Sequence, residues 1–221
     1  MSISQNIQAI LSDLPKEVQL IAVSKTQPVE KIMAVYNTGH RVFGENKAQE
    51  VATKAANLPS DIEWHFIGHL QTNKVKFIVP FIHTIHSIDS VKIIREVNRE
   101  AAKNNRIVRC LLQFYIATEE TKFGLDRAEA TELMLAVTSE HMQNIEIAGV
   151  MGMASYTIDT NLIRQEFRNL KNTFNWLKTN YFSTSNSFRE ISMGMSGDYQ
   201  LAIEEGSTLI RLGTAIFGER K

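Results

Sequence analysis

Short apolar runs and amphipathic helical patterns alternate along the whole chain, and this alternation restricts the possible folds more than any other feature. After an opening amphipathic segment, eight runs have the length and composition of strands, and helical patterns follow them. These runs are 20–24, 41–43, 64–67, 84–88, 108–116, 145–150, 189–193 and 208–212. Eight strand–helix units in succession predict an α/β fold, the (β/α)8 TIM barrel, rather than an open sheet. No linker composition divides the chain, so we expect residues 1–221 to form a single domain.

Composition narrows the possible partners and the compartment. The 24 lysines and arginines balance the 24 aspartates and glutamates, so no net charge attracts nucleic acid or a membrane surface. The single cysteine, Cys110, lies in an apolar run and is typical of core filling in a reducing compartment. The N-terminus lacks the pattern of a signal peptide, and no segment approaches the length of a membrane span. We therefore expect a cytoplasmic protein that binds neither nucleic acid nor membranes. We also expect a monomer, although composition does not bear on the number of chains.

The first apolar run leads directly to Lys25. Every position of the run from Leu20 to Val23 is apolar, which is typical of a parallel strand buried on both faces, and Pro28 then opens a helical pattern. Lys25 is therefore predicted at the C-terminal edge of the barrel, where ligands bind in this fold. We expect the apolar surroundings to lower the pKa of Lys25 toward that of a neutral amine, the form that attacks a carbonyl. The alternative is a lysine that only extends into solvent from the strand end.

The turns after the seventh and eighth predicted strands both combine glycine with a hydroxyl residue. They contain Ser196 with Gly197, and Gly213 with Thr214. Glycine lets the backbone approach an anion, while the hydroxyl and the free N–H groups of a helical turn bind it. Each turn alone also fits an ordinary helix cap. Two such turns at the pair of strands where barrels commonly bind phosphate predict a phosphate site.

A lysine together with a phosphate site fits a phosphorylated carbonyl compound, and pyridoxal 5′-phosphate (PLP) is the leading candidate. Arg211, at the end of the eighth predicted strand, would then face the pyridine nitrogen. A cation at that position disfavours protonation of the ring and makes it a weaker electron sink. The alternative role for Arg211 is a surface ion pair, for example with Glu219.

Other features of the sequence leave their roles open. Histidines 65 and 69, and 83 and 86, have spacings seen in metal sites, yet no nearby cysteine or carboxylate completes a ligand set, so we expect no metal. Methionines 151, 153, 193 and 195 fit either core filling or a soft wall beside the ligand. Lys122 is either an entrance charge for anions or an ordinary loop lysine.

Eight blocks of residues, distributed from the first predicted strand to the last, resemble the YggS/PROSC family of pyridoxal phosphate homeostasis proteins. They are 22–26 (AVSKT), 43–46 (FGEN), 64–74 (WHFIGHLQTNK), 86–89 (HSID), 122–124 (KFG), 149–154 (GVMGMA), 192–198 (SMGMSGD) and 211–218 (RLGTAIFG). The resemblance covers essentially the whole chain. It implies a barrel similar to the N-terminal domain of alanine racemase, which is fold type III among PLP-binding proteins.

The resemblance also implies a cofactor site. Lys25 would hold PLP as a Schiff base, Arg211 would face the ring nitrogen, and Asn46 and His65 would line the cofactor. The positions that match the family's phosphate site are Ser196, Gly197, Gly213 and Thr214. Members of the family are regarded as carriers or regulators of PLP supply with no established turnover, which makes apo-enzymes that use PLP the candidate partners. The resemblance therefore implies a PLP homeostasis protein with no catalytic residues.

Two enzymatic alternatives remain: a small PLP-dependent enzyme that acts on amino acids, and a barrel enzyme for another phosphorylated metabolite. Racemases of this barrel type take one acid/base group from a second, β-rich domain across a dimer. This sequence ends at Lys221, shortly after the eighth predicted strand, so we expect that group to be missing. A small PLP-dependent enzyme acting on amino acids, such as a weak racemase or a transaminase, would reveal itself by multiple turnovers. A barrel enzyme for another phosphorylated metabolite would form no Schiff base at Lys25.

Overall fold

The computed structural model describes residues 2–117 and 123–219. Eight parallel strands form a closed barrel in sequence order, and β8 pairs with β1 to close it. The strands are β1 (Gln19–Val23), β2 (Val42–Glu45), β3 (Glu63–Phe66), β4 (Thr84–Ile88), β5 (Val108–Gln113), β6 (Ile145–Met151), β7 (Glu190–Ser192) and β8 (Leu209–Leu212). The predicted (β/α)8 barrel is confirmed.

One helix precedes the barrel, and a helix follows each strand. The helices are α1 (Ile3–Asp13), α2 (Val29–Tyr36), α3 (Ala48–Asn57), α4 (Thr72–Ile78), α5 (Val91–Lys103), α6 (Arg127–Ser139), α7 (Thr160–Tyr181), α8 (Tyr199–Glu204) and α9 (Thr214–Phe217). Side-chain caps fix where several of them begin. Ser2 and Gln5 form a capping box at α1, and Asp126 and Glu129 form another at α6. Among the residues described, no helix is both long and apolar enough to cross a membrane.

The fifth strand is shorter than its apolar run predicts. The sequence predicts a strand over 108–116, whereas β5 ends at Gln113. From that residue onward the backbone pairs with Leu125. The Gln113 carbonyl accepts a hydrogen bond from the Leu125 N–H, and the Tyr115 N–H donates to the Leu125 carbonyl. The chain therefore leaves the barrel wall early and adds an isolated bridge at the ligand-binding edge.

Strand alternation separates two apolar clusters. Leu20 and Ala22 pack with helix residues in the large cluster around the barrel, whereas Ile21 belongs to a smaller cluster with residues such as Leu111 and Leu209. Because successive strand residues face opposite sides, we assign the smaller cluster to the barrel interior. Cys110 is fully buried in the large cluster, and burial raises the pKa of its thiol, as expected for a core residue.

Candidate functional site

A cavity of about 500 Å³ opens at the C-terminal end of the barrel. Its volume is in the range of small-molecule sites. Seven of the eight residues predicted from the sequence line it: Lys25, Asn46, Ser196, Gly197, Arg211, Gly213 and Thr214. They come from the ends of β1, β2, β7 and β8, the edge at which barrels of this kind bind ligands.

Lys25 lies in a tightly held turn after β1. The Ser24 N–H donates to the Gly44 carbonyl over 3.0 Å, which continues the pairing with β2 to the residue before the lysine. Thr26, the residue after it, has a φ of +64°, in the left-handed region that non-glycine residues seldom adopt. The Thr26 N–H donates to Oε1 of Glu50 over 2.6 Å, and this bond stabilises the turn. The backbone is thus fixed on both sides of Lys25.

A buried cluster of polar side chains, which we name the Lys54 network, supports this turn; it consists of Ser24, Glu45, Glu50 and Lys54. Nζ of Lys54 donates to the Ser24 carbonyl over 2.8 Å, and to Oε1 of Glu45 and of Glu50 over 2.7 Å each. The Ser24 hydroxyl donates to the same Glu45 oxygen over 2.6 Å. One ammonium therefore joins the end of β1, at the residue before Lys25, to strand β2 and helix α3.

The two carboxylates of the Lys54 network respond differently to their surroundings. Burial raises the pKa of Glu45 above its usual value, although the hydrogen bonds from Lys54 and Ser24 act in the other direction. Burial also acts to raise the pKa of Glu50, but the hydrogen bonds from Lys54 and the Thr26 N–H outweigh it and the pKa is lowered. The less buried carboxylate is thus the one that holds the negative charge more firmly.

Ser196 joins the turns that follow β7 and β8. Its Oγ accepts hydrogen bonds from the N–H groups of Gly213, over 3.3 Å, and Ala215, over 3.4 Å. In the first of these turns Gly194 has a φ of +96°, and a Cβ there would lie 2.7 Å from the Cβ of Ala202, so only glycine fits. A Cβ on Gly197 would instead point into open space. The two glycine-containing turns predicted from the sequence thus form one cradle in the cavity wall.

Arg211 is held in place from behind. One guanidinium nitrogen donates to Oγ of Ser192 over 2.7 Å, and the other donates to the Gly152 carbonyl over 3.1 Å. Its side chain is buried, which excludes the surface ion pair with Glu219. Burial lowers the pKa of Arg211 to about 10, against the effect of the Asp198 charge, so the group remains a cation at neutral pH. The cavity therefore contains a fixed, buried positive charge.

His65 does not line the cavity in the part of the chain that the structure describes. It belongs to a line of hydrogen bonds inside the barrel that we name the histidine chain, made of Arg211, Ser192, His86 and His65. Nδ1 of His86 lies 3.0 Å from Oγ of Ser192, and its Nε2 lies 2.8 Å from Nδ1 of His65. Burial lowers the pKa of both histidines well below their usual value, which favours the neutral imidazole in each. His65 thus lies behind Arg211 rather than in the cavity wall, and its predicted role toward a cofactor stays a prediction.

The remaining wall residues were only partly expected. Both alternatives for the four methionines hold: Met153 and Met195 line the cavity, while Met151 and Met193 are fully buried. His69 is a wall residue not predicted from the sequence, and its ring stacks on that of Phe123 with centroids 4.1 Å apart. Gln113, the last residue of β5, also lines the cavity. Its position at the end of a strand could have marked it as a site residue. The sequence prediction missed it because it extended the strand to residue 116. Lys122 lies outside the described residues.

Comparisons with known proteins show which family the chain belongs to. The family model for the alanine racemase N-terminal domain matches residues 1–221. A protein of Aquifex aeolicus named pyridoxal phosphate homeostasis protein is 40% identical over 204 residues, which cover 92% of this chain and 87% of that protein. The structure of PipY from Synechococcus elongatus, solved with PLP bound, has a TM-score of 0.86 and 34% identity, covering 98% of this chain and all of PipY.

Alanine racemases share the barrel at lower identity. The enzyme of Bartonella henselae is 18% identical with a TM-score of 0.71, and the match covers 98% of this chain but 58% of the racemase. This likeness supports the fold alone. From the match to the family model and the identity with the homeostasis proteins, the chain belongs to the alanine racemase N-terminal domain family and, within it, to the pyridoxal phosphate homeostasis proteins of the YggS/PROSC type.

Proposed function

We propose that this protein binds PLP in the cavity, holds it as a Schiff base on Lys25 and serves PLP homeostasis as a carrier or regulator. One observation carries the proposal: the cavity wall combines the Lys25 amine with the cradle at Ser196 and the buried cation of Arg211. The lysine suits an aldehyde, the cradle suits a phosphate, and an arginine is one of the partners that a pyridine nitrogen takes. PipY, 34% identical over nearly the whole chain, has been solved with PLP bound.

The residues fit the cofactor in their chemistry. Condensation of the Lys25 amine with the aldehyde releases water, and addition of water reverses it, so the bond suits storage and release. Gly197, with open space where a Cβ would lie, lets the backbone approach a phosphate, and Gly213 and Thr214 complete the cradle. Asn46 contributes to the wall beside Lys25. His65 acts through Arg211, to which the histidine chain connects it.

Arg211 favours a role in carrying PLP over a role in catalysing reactions of amino acids with it. A guanidinium beside the ring nitrogen opposes protonation of the ring, which then withdraws electrons from a bound amino acid less strongly. The curated relatives are named for homeostasis and not for a reaction. Apo-enzymes that use PLP are the proposed recipients. We further propose that residues 1–221 act as one domain and as a monomer in the cytoplasm.

PLP binding is tested by titrating the purified, PLP-free protein and recording its visible absorption. A saturable yellow band is expected in the wild type and in Lys16→Ala, since Lys16 is an exposed residue before β1. The band is expected to be absent in Lys25→Ala. A band of equal strength in Lys25→Ala would refute attachment at Lys25, and no band in any of the three proteins would refute the proposed function.

The enzymatic alternative is tested with the PLP-loaded protein and a panel of L- and D-amino acids. We expect a shift of the absorption band and release of at most one product molecule per protein. Racemised amino acid or keto acid at many equivalents per protein, lost in Lys25→Ala, would show a PLP-dependent enzyme instead.

A further inference from the structure

A second cluster of ligand-type side chains lies at the end of the barrel opposite the cavity. Glu63 is the first residue of β3, and His83 directly precedes β4, so both lie at the N-terminal ends of strands, next to His65 in the barrel interior. We propose that Glu63, His65 and His83 form a binding site for one divalent cation of the zinc type. Each residue offers one ligand atom, and the three atoms lie within 4.8 Å of one another.

Both imidazoles have one ring nitrogen already engaged by a neighbour. Nδ1 of His65 is bonded to His86 over 2.8 Å, and Nδ1 of His83 lies 2.9 Å from Oγ1 of Thr84. Metal-binding histidines are oriented in this way, by a hydrogen bond to the nitrogen that does not bind the metal. The other nitrogen of His83, Nε2, is 3.9 Å from Oε2 of Glu63. Each ring thus keeps its second nitrogen for a shared ligand.

The second nitrogen of His65 supplies an independent reason for a ligand. His65 as a whole residue is 2% exposed, and its Nε2 has no hydrogen-bond partner among the described residues. A buried polar atom without a partner is costly, and such atoms are uncommon in folded proteins. A cation bound between His65, His83 and Glu63 would satisfy this atom.

The protonation states and charges are compatible with a cation. Burial lowers the pKa of His65 and of His83, which favours the neutral imidazole that binds metals. Arg109 and Arg106 are the opposing charges nearby. Arg109 faces two carboxylates, Glu146 at 3.2 Å and Glu190 at 3.4 Å. Arg106 donates to the Val79 and Ile82 carbonyls. The Glu63 carboxylate therefore remains available to compensate the metal charge.

The ligand set selects the kind of metal. Two imidazoles and one carboxylate suit zinc and its first-row neighbours, whereas magnesium and calcium prefer oxygen ligands alone. Three protein ligands leave the fourth tetrahedral position to water. None of the three residues lines the cavity, and the bound cation would join β3 to the residue before β4 at the N-terminal ends of these strands.

The test is a calorimetric titration of chelator-treated protein with ZnCl2. We expect one equivalent to bind, with affinity reduced at least about tenfold in Glu63→Gln and in His83→Asn. Both side chains are more than one-third exposed, so these variants avoid disturbing the core. His141→Asn, which alters an exposed histidine with a positive φ that asparagine tolerates, serves as the matched control and is expected to bind as the wild type does.

Cobalt gives a second readout, because the visible absorption of bound Co²⁺ reports its coordination. The proposal is overturned if no equivalent of zinc binds, or if Glu63→Gln and His83→Asn both retain wild-type affinity. It is also overturned if binding is lost in His69→Asn instead, since His69 lies 3.2 Å from Asp89 and lines the cavity. PLP absorption measured on the same variants keeps this result separate from the proposed function.

Discussion

The Lys54 network and the histidine chain both lie behind residues of the cavity wall, but they are built differently. The Lys54 network is made of charges, and three of its hydrogen bonds meet at one ammonium. The histidine chain carries its only full charge at Arg211. Burial favours the neutral form of His65 and His86, and Ser192 has no charge. The first network fixes backbone on both sides of Lys25, and the second fixes the Arg211 side chain.

The difference shows two ways to position a cavity residue. At Lys25 the hydrogen bonds fix the backbone of the turn that carries the side chain. A planar guanidinium can be fixed directly, because its donors fit a hydroxyl and a carbonyl at once. We therefore expect removal of one partner from the Lys54 network to lower stability more than removal of one hydroxyl from the histidine chain.

Loss of the ammonium is the change with the largest expected effect. Lys54→Met leaves the buried carboxylate of Glu45 and the part-buried carboxylate of Glu50 without their cation, and we expect a loss of about 3–5 kcal/mol in the free energy of unfolding. Urea unfolding followed by circular dichroism measures it. Lys47→Met, on an exposed lysine just before α3, is the matched control and should change stability by less than about 0.5 kcal/mol. Equal effects of the two substitutions would refute the structural role of the Lys54 network.

An interruption of the histidine chain is expected to cost less. Ser192→Ala removes the hydroxyl that contacts both Arg211 and His86, and we expect a loss of about 1–3 kcal/mol. The matched control is Ser87→Ala, because Ser87 is equally buried while its Oγ has no partner among the described residues. That variant should be as stable as the wild type or more so. If the two serine variants are equally stable, the hydroxyl of Ser192 does not support Arg211.

The smallest expected effect is that of removing the Glu50 charge from the Lys54 network, and it depends on pH. The folded-state pKa of Glu50 is lowered from its usual value of 4.5. The carboxylate therefore stabilises the fold fully at pH values above 4.5, and this stabilisation is lost as the pH falls through the folded-state pKa. Glu50→Gln should therefore cost about 1 kcal/mol at pH 7 and progressively less as urea unfolding is repeated at more acidic pH. Glu17→Gln, on an exposed residue, should show no such trend. A constant difference at every pH would contradict the pKa direction.

The strands and the cavity edge could be predicted because their signals are local. Apolar runs locate each strand, and a residue that follows such a run in a parallel barrel can only lie at the ligand edge. Lys25, Ser196 and Thr214 were predicted to be site residues on this basis, and all three line the cavity. Their roles toward a cofactor remain predictions.

The two buried networks escaped prediction because their members are distant in sequence. His86 and Ser192 are 106 residues apart, and only the barrel register brings them together. The proximity of Glu63 and His83 also depends on the register of β3 with β4. In this register the His83 N–H donates to the Trp64 carbonyl. Lys54 left one signal that was available, since it follows buried Val51 by three residues and so shares its helix face.

The most direct test of the central claim, that the cavity holds PLP on Lys25, is reduction with borohydride followed by peptide mass mapping. The PLP-loaded wild type should carry one reduced PLP group, on the peptide that contains Lys25, and Lys25→Ala should carry none on any peptide at the same PLP concentration. A label distributed over exposed lysines such as Lys16, with the Lys25 peptide unmodified, would contradict the claim.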